Sequence, residues 1–442
     1  MKNTLIYGMH WKSQERAIKK LEEENIINIK VWIGKRKYHD INIGKFRQGD
    51  LVKKSYSGLN QTIYRKIYNS SLPIFLDMFY RNPSQYIRSY QETINLYNYL
   101  FDYISQLLED NQIELLLFYN LPHFGADYLL TVIAKELNIK MILMYQSLTA
   151  NRFHYITDLD DFGSFETALT KFEYPYQRIN FENKKIQFYM KNINLKYKSC
   201  HYNLFITLRR YIFRRSSRME FLGVIKNYKD CLQFKKNYLK FAIDKVDFSQ
   251  KFIYFPLQLQ PELTTSTLGG IYSDQLLAIE KLSTFIPENW KIYVKENPKQ
   301  LNKYREKYFF KRLSLLNNVE YIKKDVNSFE LIKHCQFVAT ISGTAGFEAI
   351  TSDKCCIIFG MAWYQKFNGI FKYSEDLIFE DIINFKIDKK KLEDDYNKFL
   401  EKTAEGIVDN GYIRNFKEYD EEENILYLTN SLTKIITGSL YV

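Results

Sequence analysis

Phe337-Val338-Ala339-Thr340-Ile341-Ser342-Gly343-Thr344-Ala345-Gly346-Phe347-Glu348-Ala349-Ile350 decides the fold. Phe337 to Ile341 is a short apolar run bounded by small polar residues, which reads as a strand buried on both faces. Ser342 to Thr344 turn the chain, and Ala345 to Thr351 reads as a helix. Cys355 to Phe359 then repeats the strand pattern. A strand, a tight turn, a helix and another strand form the unit from which parallel sheets are built. Outward toward the N-terminus the rhythm continues. Phe252 to Leu257, Trp290 to Lys295 and Val319 to Ile322 read as strands, with helices over Ser273 to Phe285 and Ser328 to Cys335.

The first 150 residues or so show the same alternation. Leu5 to Tyr7, Ile27 to Ile33, Ile113 to Phe118 and Met141 to Tyr145 are strand-like. Ser13 to Asn25, the aromatic stretch 60–110 and Ala126 to Leu137 are helical in period. Residues 170–245 read as basic, aromatic helices, and Glu421 to Ile436 as a closing helix. The expectation is an α/β chain with two Rossmann-type domains facing a cleft, a helical link and a C-terminal closing helix, which describes the GT-B architecture. The expected division is 1–165, 166–248, 249–400 and 401–442.

Composition narrows the possible partners. The 442 residues carry a formal charge of +12 with a pI near 9.0. Such a balance suits an anionic membrane surface, a phosphorylated substrate or nucleic acid. No nucleic-acid module signature appears, so nucleic acid is not expected. The 36 Tyr and 33 Phe accompany many Ile, Lys and Asn, a bias of AT-rich coding, and are not read singly as sugar platforms. Five cysteines without a C-x-x-C pair argue against a disulfide framework or a cysteine-rich zinc site. The apolar run at the start is too short for a signal peptide, and no window has the ~18 apolar residues of a membrane span. A cytoplasmic location, with the inner face of the membrane as a surface to lie on, is expected.

In open parallel sheets ligands sit beyond the carboxyl ends of the strands, so the loops there are the candidates. The turn Ser342-Gly343-Thr344 offers hydroxyls and a glycine for close backbone approach, ahead of helix N–H groups that favour phosphate. Glu348 lies in the first turns of that helix, in reach of a ribose hydroxyl. An ordinary strand-to-helix turn with a Ser or Thr cap explains the same residues equally well. Two further segments stand out: Lys295-Glu296-Asn297-Pro298, and the long polar Phe255 to Gly270, which contains Glu262 and Thr264 and reads either as a functional loop or as a mobile surface connection.

These three segments together, between Tyr254 and Gly360, resemble the capsule polysaccharide biosynthesis family, which includes bacterial Kdo transferases. The family has a loop like Gln260-Pro261-Glu262, then Lys-Glu-His-Pro, then Ser-Gly-Thr-Ala-Gly-x-Glu-Ala before a strand ending in Gly. The resemblance implies a glycosyltransferase with a nucleotide-sugar donor and a polysaccharide or lipid-linked glycan acceptor. A CMP-linked acidic sugar such as Kdo would be the donor, with no cofactor. It assigns Lys295, Asn297, Ser342, Gly343, Thr344 and Glu348 to the nucleotide. The family's phosphate-binding His is replaced here by Asn297, which donates a hydrogen bond but carries no charge. A nucleotide-sugar epimerase of the UDP-N-acetylglucosamine 2-epimerase type shares the two-domain plan. A non-catalytic nucleotide- or glycan-binding subunit is the third reading.

The catalytic candidates are His123, Asp127 and Glu262. His123 and Asp127 are four apart after the Leu115–Phe118 strand and would share a helix face as base and orienter. Their bland alternative is a capping His and a surface Asp. His10 stands at the same edge, and Gln146, Arg152 and Asp158 follow the next strand. Arg209, Arg210, Arg214, Arg215 and Arg218, interleaved with aromatics, suit an anionic membrane or a lipid-linked phosphate, or form a solvated helix face. No spaced ligand cluster suggests a metal.

Overall fold

The computed structural model describes residues 1–51, 60–79, 89–149, 151–166, 178, 204–205, 208–209, 211–213, 218–300, 305–413 and 418–438. They form two compact units. Unit 1 comprises Met1–Phe79, Ser89–Tyr176 and Asn397–Val442, and unit 2 comprises Tyr80–Arg88 and Gln177–Tyr396.

In unit 1 the strands are β1 (Lys2–Tyr7), β2 (Ile27–Gly34), β3 (Ile41–Asn42), β4 (Leu115–Phe118), β5 (Lys140–Gln146) and β6 (Arg152–Ile156). β1 lies between β2 and β4, and the parallel core runs β3-β2-β1-β4-β5, with β6 antiparallel to β5. Alternate residues face opposite sides. Ile6, Leu115, Leu117, Ile142 and Met144 pack against Ile18 and Leu21 of helix Lys12–Glu23. Tyr7 and Phe118 stack on the other face, ring centroids 4.0 Å apart. Much of the aromatic excess is core packing. Phe75 and Tyr97 meet edge to face at 5.2 Å, as do Tyr64 and Phe101, which joins helices Gln61–Phe79 and Tyr90–Asp110.

Unit 2 holds β7 (Phe252–Pro256), β8 (Lys291–Lys295), β9 (Val319–Ile322), β10 (Val338–Thr340), β11 (Cys356–Ile358) and β12 (Ile370–Lys372). All neighbours are parallel, in the order β12-β11-β10-β7-β8-β9. Counted within the unit this is 3-2-1-4-5-6, the doubly wound Rossmann order, whose crevice opens where the order reverses, between β7 and β10. Ile253, Phe255, Ile292, Val294, Ala339 and Ile357 fill one face of the sheet with Leu276, Ile279 and Leu282 of helix Gln275–Phe285.

The chain then returns to unit 1. β13 (Thr403–Glu405) pairs antiparallel with β6, and helix Glu421–Thr437 buries Ile425, Leu428, Leu432 and Ile435 in that unit's core. Two Rossmann-like units and a C-terminal helix returned to the first are the make-up of the GT-B class. The expected strands are present with bounds differing by a few residues, and the stretch 60–110 holds two helices, Gln61–Phe79 and Tyr90–Asp110; of the helices expected over 170–245, Arg218–Phe241 is present, and most of 170–217 lies outside the described residues. The sequence reading missed β3, β6, β12 and β13: three have only two or three residues, and β6, with Arg152 and His154, lacks an apolar run. Cys335, Cys355 and Cys356 are free buried thiols, and Cys231 is disulfide-bonded.

Candidate active site

The two loops at the reversal point of unit 2 are joined by side chains. Gln258, after β7, accepts from the Ser342 backbone N–H (3.3 Å) and donates to Ser342 Oγ (3.4 Å). Ser342 Oγ donates its own proton to the Thr264 carbonyl. Ser342 is thus buried and committed to holding the loops together. The glycines act in the same way: a Cβ on Gly360 would lie 2.5 Å from the Leu268 carbonyl, and one on Gly269 2.2 Å from that of Thr265. Gly343 leaves room for Gln258, whose Nε2 would be 2.9 Å from an added Cβ. Thr344 stands at the N-cap of helix Ala345–Ile350, with no side-chain cap bond. That helix has only 6 residues, so the dipole expected from it is weak.

A buried polar network fixes the loop that carries Glu262. Arg305 and Glu296 pair at 2.8 Å with both side chains almost fully enclosed. Arg305 also donates to Gln260 Oε1 (2.9 Å), and Tyr321 donates to Glu296 (2.6 Å). Gln275 and Gln300 bond to the backbone of Gln258 and Gln260. Sequence reading missed Arg305, Gln275 and Gln300. Their partners lie 9 to 45 positions away, and nothing local marks them. Glu262 itself is half-buried at the start of helix Leu263–Ser266 and makes no cap bond with its side chain.

Lys295 and Glu348 are two titratable groups of this edge. Lys295 is buried; its ammonium donates to the Val326 carbonyl and to Ser328 Oγ (2.7 Å), which leaves one N–H of three. Desolvation lowers it to about 8, although Asp325 and Glu348 oppose the shift. Burial raises the Glu348 carboxyl to about 7, with the Lys295 charge pulling the other way. The structure therefore brings these two within electrostatic reach, Lys295 from the end of β8 and Glu348 from helix Ala345–Ile350. Asn297 Oδ1 accepts from Lys299 N (2.9 Å) in a local turn.

In unit 1 the expected base–orienter pair does not form. Helix Gly125–Glu136 starts two residues after His123, so the i, i+4 rule does not apply to His123 and Asp127. The His123 ring bonds through Nδ1 to the Leu121 carbonyl at 2.6 Å; only its backbone N–H reaches Asp127, at 3.4 Å. Asp127 is buried, not a surface residue. It takes a two-pronged contact from Arg47, Nε–Oδ1 2.9 Å and Nη2–Oδ2 2.8 Å, and a bond from Tyr7. Gln146 holds the returning tail, accepting from Val408 N (2.8 Å). Arg152 pairs with Glu405 at 3.1 Å and Asp158 with Lys135 at 2.7 Å.

Of the basic segment, Arg209 is exposed, while Arg210, Arg214, Arg215 and the side chain of Arg218 lie outside the described residues. Among the described residues no group of three His, Cys, Asp or Glu could hold a metal ion, and no helix is long and apolar enough to cross a membrane.

Comparison with known proteins bears out the family resemblance. Residues 173–381 match the model of the capsule polysaccharide biosynthesis protein family, a span that includes the loops just described. No curated protein matches the sequence. Similar solved structures include the beta Kdo 2,7 transferase of Thermosulfurimonas dismutans KpsC (10% identity, 97% of this chain and 99% of that one, TM-score 0.36). The beta Kdo 2,4 transferase of the same protein matches at 12% identity over 59% and 74%, TM-score 0.32. UDP-GlcNAc 2-epimerase from Methanocaldococcus jannaschii matches at 12% over 99% and 100%, TM-score 0.23. These TM-scores are too low for fold or function to rest on them. The family match is to sequence, and it covers the stretch 173–381, a little under half of the chain.

Proposed function

We propose that the chain is a glycosyltransferase of surface polysaccharide synthesis, with its nucleotide-sugar site at the β7/β10 reversal of unit 2. The observation that carries this reading is the electrostatic coupling of Lys295 and Glu348 on the sheet edge that also carries the joined Gln258–Thr264 and Ser342 loops, inside the family-matched stretch. At neutral pH a carboxyl near 7 both donates and accepts, which suits a ribose hydroxyl. The remaining Lys295 N–H, the Asn297 amide and the Gly343 and Thr344 backbone would face the phosphates. Preorganised donors of this kind stabilise a leaving phosphate without rearrangement. Glu262, held by the buried Arg305–Glu296 network, is the acidic candidate next to this edge. A CMP-linked acidic sugar is the donor favoured here, and a polysaccharide or lipid-linked glycan the acceptor.

Exposed Phe205, Leu208, Tyr211, Ile212 and Phe213 beside Arg209 support attachment to an anionic membrane surface. The test of the main reading is incubation with CMP-, UDP- and GDP-sugars, with and without glycan acceptors. Sugar transfer to a glycan supports it; an epimerised sugar formed without acceptor would instead establish an epimerase.

A further inference from the structure

Unit 1 has its own order reversal, between β1 and β4, and the sequence places His10 there. The backbone leading to it is unusual. Gly8 has φ +77° and Met9 φ +48°, so two successive residues adopt the left-handed region before the chain enters helix Lys12–Glu23. Gly8 is required at its position, since a Cβ would lie 2.1 Å from the Tyr119 ring. The Trp32 indole holds this turn through the Gly8 carbonyl at 2.9 Å. A conformation unfavourable to ordinary residues and fixed by its surroundings is found most often where a side chain must be aimed.

The aimed side chain is unsatisfied. His10 is only 5% exposed, yet neither ring nitrogen has a hydrogen-bond partner among the described residues. A buried polar group left unpaired costs stability, and native proteins rarely tolerate one without a use for it. The imidazole lies between the rings of Trp11 and Tyr119, with centroids at 5.3 and 5.9 Å. Trp11 is 37% exposed and carries the Lys35 ammonium over its face at 5.6 Å. Trp11 is also the N-cap of the following 12-residue helix; its indole has no acceptor with which to cap the helix, while its backbone N–H donates to Gln14 Oε1 at 3.3 Å.

The charges around His10 come from several elements. Lys35, Arg36 and His39 follow β2, and Arg47 belongs to helix Ile43–Gln48. Glu15 offsets Arg36 (3.2 Å) and Asp127 offsets Arg47. Burial first, then these cations, hold the imidazole neutral, at about 4. A neutral imidazole presents one N–H donor and one acceptor nitrogen, which matches hydroxyl groups rather than a bare anion. The exposed Trp11 ring, with the half-buried Tyr119 ring beside it, suits the apolar face of a sugar ring.

We infer that unit 1 carries a saccharide site in which the His10 imidazole receives ligand hydroxyls, flanked by the Trp11 and Tyr119 rings. It rests on the glycosyltransferase reading only in naming that saccharide as the acceptor. The site differs from the His123–Asp127 assignment, because both of those side chains already have partners.

The test uses the full chain with 13Cε1-labelled histidine, the His10 signal being assigned by its loss in His10→Ala. N-acetylglucosamine and N-acetylneuraminic acid are titrated as neutral and acidic probes, with CMP and UDP as controls. A saccharide-dependent shift of the His10 signal, absent in Trp11→Ala, supports the site, and the two sugars show whether an acid group is favoured. No shift with either sugar, in protein that still binds nucleotide or shows a native melting transition, overturns it. His10→Leu adds a second readout. Loss of an unpaired imidazole leaves Tm unchanged or raises it, while the sugar response disappears; a marked fall in Tm would show a structural role instead. If the wild type transfers sugar from no donor, the functional reading fails, and the titration still decides the site.

Discussion

Arg47 closes on Asp127 with two parallel contacts of 2.9 and 2.8 Å in a part of unit 1 where the carboxylate is 1% exposed. A carboxylate enclosed in this way, with Tyr7 on the same oxygen, is committed to holding the β1/β4 edge together. Removing one partner leaves the other charge buried and uncompensated, which costs about 3–5 kcal/mol. Asp127→Asn and Arg47→Met are therefore expected to lower Tm strongly in thermal unfolding. The double variant with Asp127→Leu should recover part of the loss. Equal Tm values for wild type and Asp127→Asn would contradict the pairing.

Glu348 gives a pH signature. Its carboxyl stands at about 7 in the folded chain against the ordinary 4.5. Between those values the folded state holds a proton that the unfolded state has lost, so stability falls as pH rises through this window. Lys295, lowered from 10.5 to about 8, is charged at a cost at neutral pH and lightens that cost only above 8. Glu348→Gln removes the first penalty. We expect its Tm to exceed the wild-type value at pH 7.5 by more than at pH 4.5, with nucleotide affinity reduced roughly tenfold or more. The reverse pH trend in paired melting curves would refute the assignment.

Glu262 lies in a loop held rigid by other residues, so its own carboxylate is expected to contribute little to folding. Glu262→Gln should keep its Tm within about a degree and lose turnover by roughly 100-fold, in line with acid–base roles. Glu296→Gln should do the opposite first. It breaks the buried pair with Arg305, lowers Tm, and weakens nucleotide binding only through the displaced loop.

The exposed apolar side chains near Arg209 bear on membrane attachment. Each cation near an anionic surface contributes about 1 kcal/mol, and salt weakens it. Flotation with phosphatidylserine-containing liposomes should recover the chain at low salt and less of it at high salt. Equal recovery with neutral lipid would remove the membrane from the account.

Local pattern revealed the parallel-strand rhythm because apolar runs such as Leu115–Phe118 and Phe252–Phe255 declare burial on both faces. It also singled out the Ser342–Glu348 and Lys295–Asn297 segments, since loops after such strands are where ligands bind. It did not reveal that the Ser342 hydroxyl serves Thr264, because that bond joins residues 78 apart. Nor could spacing show that Asp127 is claimed by Arg47, 80 positions away. The i, i+4 argument for His123 failed at a helix boundary, the least legible feature of a sequence. His10 was visible only as a residue after a strand; its lack of partners is a property of the folded surroundings.

The central claim is a nucleotide site at the β7/β10 reversal of unit 2, and calorimetric titration with CMP, UDP and GDP tests it most directly. The account predicts that at least one nucleotide binds the wild type with micromolar affinity, that Lys295→Met and Glu348→Ala each weaken it at least tenfold, and that His10→Leu leaves it unchanged. Failure of every nucleotide to bind native protein, or binding undiminished in both unit 2 variants, would contradict it.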